Sequence, residues 1–285
     1  MITRTAIAMV LFGTVALAGT DDTVERTVRY GFTVENRTAN LIEDASFWTY
    51  APLAQTSNQR RTGLSVSHPH SITNDALGNS VVCVSPLRLK PYASVDIVIE
   101  TRLDMCAAPA PLAIRTDDWL RPEGLVDFRA AIFSKDGPRV RGEGVDARAQ
   151  YVYQWVADGI FEVQYIPRDR GATYALQTRR GDCTEFASLF TALCRRDGIP
   201  SRVMAGFVTA RNRNLHPVRY HNWSEFHDGR HWRISDPLRR VFDERGEQFV
   251  AMRIAGDVEN GLRGKERFRV DGEGLRVRAM TWGGG

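Results

Sequence analysis

The sequence lacks several features that specialised protein classes require. Only four of the 285 residues are cysteines, too few for a small scaffold held together by disulfides. The apolar stretch at residues 6–18 is shorter than the ~20 residues that a membrane-spanning helix needs. Lysine and arginine form no run interleaved with aromatic residues, and the net charge is only +4, which argues against nucleic-acid binding.

The remaining composition is that of a soluble globular protein. Hydrophobic residues make up 43% of the chain and charged residues 25%, so a core can form without metal or many disulfides. His68 and His70 flank Pro69 with no further histidine, cysteine or acidic cluster nearby, so we interpret them as loop residues. We therefore expect neither a metal site nor a cofactor.

The first eighteen residues have the pattern of an export signal. Arg4 precedes the apolar stretch, and Ala16-Leu17-Ala18 supplies a small-x-small cleavage site. The alternative is a buried N-terminal strand or helix. The signal interpretation predicts a periplasmic or secreted protein with no stable membrane insertion after cleavage.

An all-β region is predicted after the signal. Apolar residues alternate with polar ones, the period of a half-buried strand, at Val24, Val28, Tyr30, Phe32 and Val34. Further short strands separated by turns indicate a small sandwich-like domain over residues 19–110. The Pro/Ala stretch at residues 107–111 marks the boundary to a second domain over residues 111–285.

Two cysteines of the β region allow two interpretations. In an oxidising compartment Cys83 and Cys106 could form a disulfide. They could equally be two buried thiols.

A capped amphipathic helix is predicted from Cys183 onward. Asp182 and Glu185 have the spacing of an N-cap and capping box, and apolar residues follow at Phe186, Leu189, Phe190, Leu193 and Cys194. A helix start favours a thiolate at Cys183, whereas the charge of Asp182 opposes it if that charge lies near the sulfur. We interpret Cys194 as a core residue.

The segment after residue 220 predicts a β-hairpin around Asp228-Gly229. A two-residue turn would place Trp232 opposite Glu225 and His221 opposite Asp236, with an imidazole beside a carboxylate. On this count a four-residue loop keeps the pairing and a three-residue loop shifts it. A histidine held by a carboxylate is the base that a nucleophilic cysteine needs, although such a contact can also be purely structural.

The segments RGDCTEFA at 180–187, GIPSRV at 198–203, HNWSEF at 221–226 and WRISDP at 232–237 together resemble the core of the transglutaminase-like superfamily. The resemblance implies an α+β, papain-like fold in which the cysteine helix packs on an antiparallel sheet that carries the histidine and the aspartate. It also implies a catalytic triad of Cys183, His221 and Asp236. Ser201, where the family more often has alanine, is a small departure.

The reaction that such a triad implies is acyl transfer on peptide or isopeptide amide bonds of a peptide or protein substrate. Hydrolysis is favoured, and cross-linking of the protein-glutamine gamma-glutamyltransferase type is the alternative. A non-catalytic binding module on the same fold is a third possibility, against which the intact triad argues. The backbone N–H of Cys183 is one candidate oxyanion donor, and Gln177, six residues upstream, is a second.

The export interpretation predicts where the mature protein begins. Expressed in a host with a matching export pathway, the chain should be cleaved after Ala18 and begin near Gly19, because the small-x-small motif ends there. Intact-mass measurement of the purified protein tests this. A full-length chain beginning at Met1 in the soluble cytoplasm would contradict it.

Overall fold

A computed structural model of the chain describes residues 23–112, 116–256, 262 and 267–282. The predicted signal at residues 1–18 lies outside the described residues. None of the helices described has the length and apolar content that crossing a membrane would require.

The described residues form sixteen strands and four α-helices, with short 3-10 turns between them. The strands are β1 (Thr23–Asn36), β2 (Ile42–Tyr50), β3 (Gln59–Val66), β4 (His70–Asn74), β5 (Ser80–Leu89), β6 (Ser94–Cys106), β7 (Phe161–Glu162), β8 (Arg180–Gly181), β9 (Ser201–Val208), β10 (Arg213–Asn214), β11 (His221–His227), β12 (Trp232–Asp236), β13 (Val241–Phe242), β14 (Phe249–Ala255), β15 (Phe268–Asp271) and β16 (Leu275–Ala279). The helices are α1 (Ile132–Lys135), α2 (Gly144–Gly159), α3 (Gly171–Thr178) and α4 (Cys183–Arg196).

The N-terminal strands form two sheets that face each other across an apolar core, as the sequence predicts. One sheet has the order β10-β1-β6-β3, with β16 also paired to β1, and the other has the order β15-β2-β5-β4. Along β1 the alternating residues Val28, Tyr30, Phe32 and Val34 are buried in this core. Val24, at the start of the same strand, is 41% exposed, so the period is right but its first residue lies beyond the core.

The last two strands belong to the sandwich. They are β15 and β16, near the end of the described residues. β16 pairs with the second half of β1 over residues 32–36, and β15 pairs with β2 over residues 46–49. The sandwich therefore includes residues from both sides of the predicted boundary at residue 110, which itself stays a prediction.

A third sheet, antiparallel throughout, is formed by strands from the middle of the chain. Its order is β13-β12-β11-β9-β14, and α4 packs against one face of it. On that face Phe190 of α4 contacts Phe226 of β11, and Val152 and Val156 of α2 join the same core. Phe207 and Met252 of this sheet reach into the sandwich core, so the two parts share apolar contacts.

The predicted register of the β11–β12 hairpin is wrong by two residues. His227 lies opposite Trp232, and Glu225 opposite Ile234. The cause is Asp228, whose carboxylate accepts hydrogen bonds from the amides of Arg230 and His231 and so opens a four-residue loop. Such a loop moves the pairing instead of keeping it. Because side chains alternate with a period of two, a shift of two still leaves His221 and Asp236 on one face.

The possible disulfide between Cys83 and Cys106 does not form, and all four cysteines are free. Cys83 lies in β5 between Trp48 and Ser71, whereas Cys106 lies at the end of β6 in the opposite sheet. The Cys106 thiol instead contacts the carbonyl oxygen of Ser57 at 3.6 Å. Burial raises the pKa of both thiols.

A buried ion pair joins the neighbouring strands β9 and β11 of the sheet against which α4 packs. Arg202 of β9 lies directly opposite Glu225 of β11, and its Nε and Nη2 donate to Glu225 Oε2 at 2.8 and 2.6 Å. The side chains are only 2% and 3% exposed. The guanidinium also lies over the ring of Trp232, 4.1 Å from its centroid. Because both charges are shielded from solvent, solvation cannot compensate for the loss of either partner.

Glu225→Ala should therefore lower the free energy of unfolding by about 3–5 kcal/mol, because it leaves the Arg202 charge buried without its partner. The double variant Arg202→Met/Glu225→Leu should lose much less, since it removes both charges. Urea unfolding followed by circular dichroism measures both. A single variant that loses less than about 1 kcal/mol would contradict the account.

Candidate active site

Cys183 is the first residue of α4, as the capping pattern predicts. Asp182 Oδ1 accepts the N–H of Thr184 at 2.9 Å, and Glu185 Oε2 accepts the N–H of Asp182 at 3.1 Å. These two bonds form the predicted capping box. They engage the amides on either side of Cys183. The thiol is thus fixed at the positive end of the helix dipole.

The capping carboxylates also hold the loop in front of the helix. The second oxygen of Asp182 accepts the N–H of Ile166 at 2.8 Å. Glu185 Oε1 accepts the amides of Arg170 and Gly171 at 2.9 and 3.2 Å. Glu185 is fully buried, and burial raises its pKa. Asp182 and Glu185 therefore position both the start of α4 and the neighbouring segment at residues 166–171.

Polar side chains attach α4 to β11. Asn222 Nδ2 donates to Thr184 Oγ1 at 2.9 Å, next to Cys183. One turn further along, Ser224 Oγ donates to the carbonyl oxygen of Ala187 at 2.9 Å and accepts from Thr191 Oγ1 at 3.1 Å. Since His221 directly precedes Asn222, this seam sets the position of the histidine relative to the cysteine.

His221 and Asp236 form a short hydrogen bond. His221 Nε2 lies 2.6 Å from Asp236 Oδ2, and the two side chains are 7% and 1% exposed. The other oxygen of Asp236 accepts the backbone N–H of Arg239 at 3.2 Å. Because Nε2 is held by the carboxylate, Nδ1 is the ring nitrogen left for another partner. The imidazole ring is stacked against the ring of Trp223, with 6.5 Å between the ring centroids and an interplanar angle of 21°.

The Cys183 thiol lies beside this pair. The backbone N–H of Asn222 hydrogen-bonds to it, and the negative charge of Asp236 acts on it. The structure thus places the Cys183 thiol near the His221–Asp236 pair despite the corrected register, and the catalytic roles of the three residues stay a prediction. Gln177, the second oxyanion candidate, is exposed in the last turn of α3, and its role stays a prediction. Cys194 is fully buried, as expected of a core residue.

The surroundings of the Cys183 thiol favour its protonated form. Its pKa is raised to about 11, chiefly by burial; the Asn222 hydrogen bond lowers it, and the charges of Asp182, Asp236 and Glu185 contribute to the rise. The sequence left open whether capping would turn the Asp182 charge away from the sulfur. Asp182 does cap the helix, yet its charge still raises the pKa of Cys183. Formation of the thiolate therefore depends on a base.

A cavity of about 290 Å³ opens beside the site between α4 and the edge strand β14. Thr184, Ser188 and Asn222 line it on one side and Arg253 on the other. The Ser188 hydroxyl is buried and has no hydrogen-bond partner among the described residues. Asn222 and Ser188 were not predicted as site residues. Polar residues on the buried side of an otherwise apolar pattern could have indicated them.

Comparisons with known proteins agree with the fold and the motifs. Residues 139–237 match the family model of the transglutaminase-like superfamily, which confirms the resemblance. A protein-glutamine gamma-glutamyltransferase from Pseudomonas aeruginosa is 34% identical over 118 residues. That match covers 38% of this chain but only 16% of the length of that enzyme.

Among solved structures, one similar fold is that of a candidate cysteine protease from Cytophaga hutchinsonii. It has a TM-score of 0.57 and 14% identity, covering 90% of this chain and 92% of the other. The periplasmic domain of TgpA from Pseudomonas aeruginosa superposes with a TM-score of 0.39 and 18% identity, covering 77% and 91%. The first of these supports the α+β, papain-like architecture.

The site predicts how the thiol responds to pH. Near pH 8, a thiol with a pKa of about 11 is only about one-thousandth ionised unless a base takes its proton. The rate of Cys183 alkylation by iodoacetamide should therefore level off near neutral pH in the native protein. In His221→Ala it should be much lower there and keep rising as the pH increases.

Peptide mapping by mass spectrometry gives the rate for each cysteine separately. Cys194 serves as the internal control, because it is fully buried and should react only on unfolding. Identical pH profiles for the two proteins, or native labelling of Cys194 as fast as that of Cys183, would contradict the assignment.

Proposed function

We propose that this chain, through the transglutaminase-like domain at residues 139–237, is a cysteine-dependent acyl-transfer enzyme that acts on peptide or isopeptide amide bonds. The observation that carries the proposal is the 2.6 Å contact between His221 and Asp236 beside a helix-start cysteine. Cys183 is the nucleophile, His221 the general base and acid, and Asp236 the group that orients the imidazole.

In the first half of the reaction, His221 Nδ1 takes the proton from the Cys183 thiol while Nε2–H donates to Asp236. The thiolate sulfur attacks the amide carbonyl carbon and forms a C–S bond. The Cys183 backbone N–H is a candidate donor to the resulting oxyanion, and Gln177 is a second. The imidazolium then gives its proton to the leaving amine as the C–N bond breaks, which leaves a thioester.

In the second half, His221 takes a proton from the incoming nucleophile, which attacks the thioester and releases Cys183. Water yields a carboxylic acid, and we favour this hydrolytic outcome. A primary amine yields a new amide, which is the alternative that the 34% identity to a gamma-glutamyltransferase supports. A non-catalytic role is the weaker candidate, because a binding module has no need of a buried His–Asp pair next to a thiol.

The same proposal extends to the setting of the enzyme. An export signal at residues 1–18, a sandwich-like domain at 19–110 and a catalytic domain at 111–285 would place the reaction in the periplasm or outside the cell. The substrate is a peptide or protein. The candidate site as described needs neither a metal ion nor a cofactor for this chemistry.

Variants of the three residues test the proposal. Cys183→Ala should abolish thioester formation, and His221→Ala should lower kcat/KM by roughly 10²–10⁴-fold, because it removes both base and acid. Asp236→Asn should cost less, since an amide can still hold the ring. Asp228→Asn, at the tip of the same hairpin, is the matched control and should retain activity.

The assay uses a glutamine-containing peptide library with and without a primary amine, and mass spectrometry of the products separates hydrolysis from transfer. Circular dichroism confirms that each variant is folded. Full turnover by Asp236→Asn together with loss in Asp228→Asn would show that the orienting carboxylate is misassigned. No thioester or product with any peptide would refute the enzymatic proposal.

A further inference from the structure

A groove of about 860 Å³ lies where the loop between β9 and β11 crosses the sandwich. Its walls combine the loop at residues 211–219, which supplies three arginines, with side chains of β1 and β6 and with Trp282. The charged residues and the tryptophan among them are Arg29, Glu100, Arg211, Arg213, Arg219 and Trp282.

The groove is locally positive. Arg29, Arg211 and Arg219 line it together with the carboxylate of Glu100, which lies across the strand pair from Arg29. The Arg29 guanidinium also lies 5.9 Å from the ring centroid of Trp282, which gives the groove an apolar wall next to its cations. The combination favours an anionic ligand with some apolar surface.

The loop that supplies the arginines is fastened to β1. The Thr27 N–H donates to Asn212 Oδ1 at 2.9 Å, and the Leu215 N–H donates to the carbonyl oxygen of Arg29 at 2.7 Å. β10 pairs with β1 between these two contacts, and the Leu215 side chain is buried in the sandwich core. Because the backbone is already fixed, a ligand does not have to order it, which lowers the entropic cost of binding.

One residue that lines the groove lies close to the candidate active site. Arg219 lines it and is separated from His221 by Tyr220 alone, so the two Cα atoms are at most about 7 Å apart. Val218, the neighbour of Arg219, is 79% exposed. An extended peptide spans about 3.3 Å per residue, so a chain bound beside His221 can reach Arg219 within a few residues.

We infer that this groove is a binding site for an acidic segment of the peptide substrate, separate from the groups that break its amide bond. The inference takes the peptide nature of the ligand from the proposed function, and the charge of the ligand from the groove itself. Arg211 and Arg219, both exposed, are the residues that contact carboxylates of the substrate. Such contacts raise affinity and association rate at low salt without taking part in the chemistry.

Binding to the full chain carrying Cys183→Ala tests the inference. The probe is a fluorescein-labelled dodecapeptide of alternating glutamate and glycine, with a glutamine-for-glutamate peptide as its neutral counterpart. Anisotropy at low salt should show binding of the acidic peptide only. Arg211→Glu/Arg219→Glu should weaken it by on the order of tenfold or more and flatten its salt dependence.

Arg139→Glu/Arg141→Glu is the matched control, because these two exposed arginines lie outside the groove and their reversal changes the net charge equally. It should alter the affinity by less than about twofold. Equal losses in both variants, or equal binding of the neutral peptide, would overturn the inference. Tighter binding of a single-stranded oligonucleotide, lost in the groove variant, would also overturn it.

Failure of the proposed function would look different. Since the binding assay uses a protein without its nucleophile, absence of turnover in the native enzyme would refute catalysis and leave the groove result intact. Conversely, normal turnover of neutral peptides with no binding of the acidic probe would refute the groove alone.

Discussion

The site depends on the way α4 is attached to β11. Asn222 and Ser224 bind the first two turns of the helix, and Phe190 packs on Phe226 below them. Cys183 and His221 come from different elements, α4 and β11, so this seam helps to fix the distance between the thiol and the imidazole. Glu185 and Asp182 then extend the same order to the loop at residues 166–171. The hydrogen bonds described around the start of α4 thus fix the position of the helix relative to β11 and to this loop.

The electrostatic environment of the thiol follows from that geometry. The acids that cap α4 and orient His221 all raise the pKa of Cys183, which burial has already raised. The site therefore favours a neutral thiol, and in the proposed reaction the thiolate forms by proton transfer to the imidazole. A neutral thiol reacts slowly with oxidants until a base takes its proton. The same carboxylates thus position the Cys183 thiol and raise its pKa.

The predictable parts of the molecule were those determined by short stretches of sequence. The capping box placed Cys183, and the alternation along β1 identified its buried face. The hairpin register was wrong because it depends on how the Asp228 side chain folds back on its own loop. The pairing of β16 with β1 was not predictable, since the two strands are far apart in the chain. The groove also needs side chains of β1 and β6 beside the loop at residues 211–219, and the sequence does not show that these segments meet.

The pairing of β1 with β16 has a consequence for biosynthesis. The first strand of the sandwich acquires one of its neighbours only after β16 has been made, because the paired residues 32–36 and 275–279 are far apart in the sequence. Until then the second half of β1 has an unpaired edge, the kind of edge that can join strands of other chains. Long-range pairing of this kind also slows folding. The nascent chain must therefore be kept apart from its copies, and shortening it by removing residues 268–279 would leave that edge permanently open.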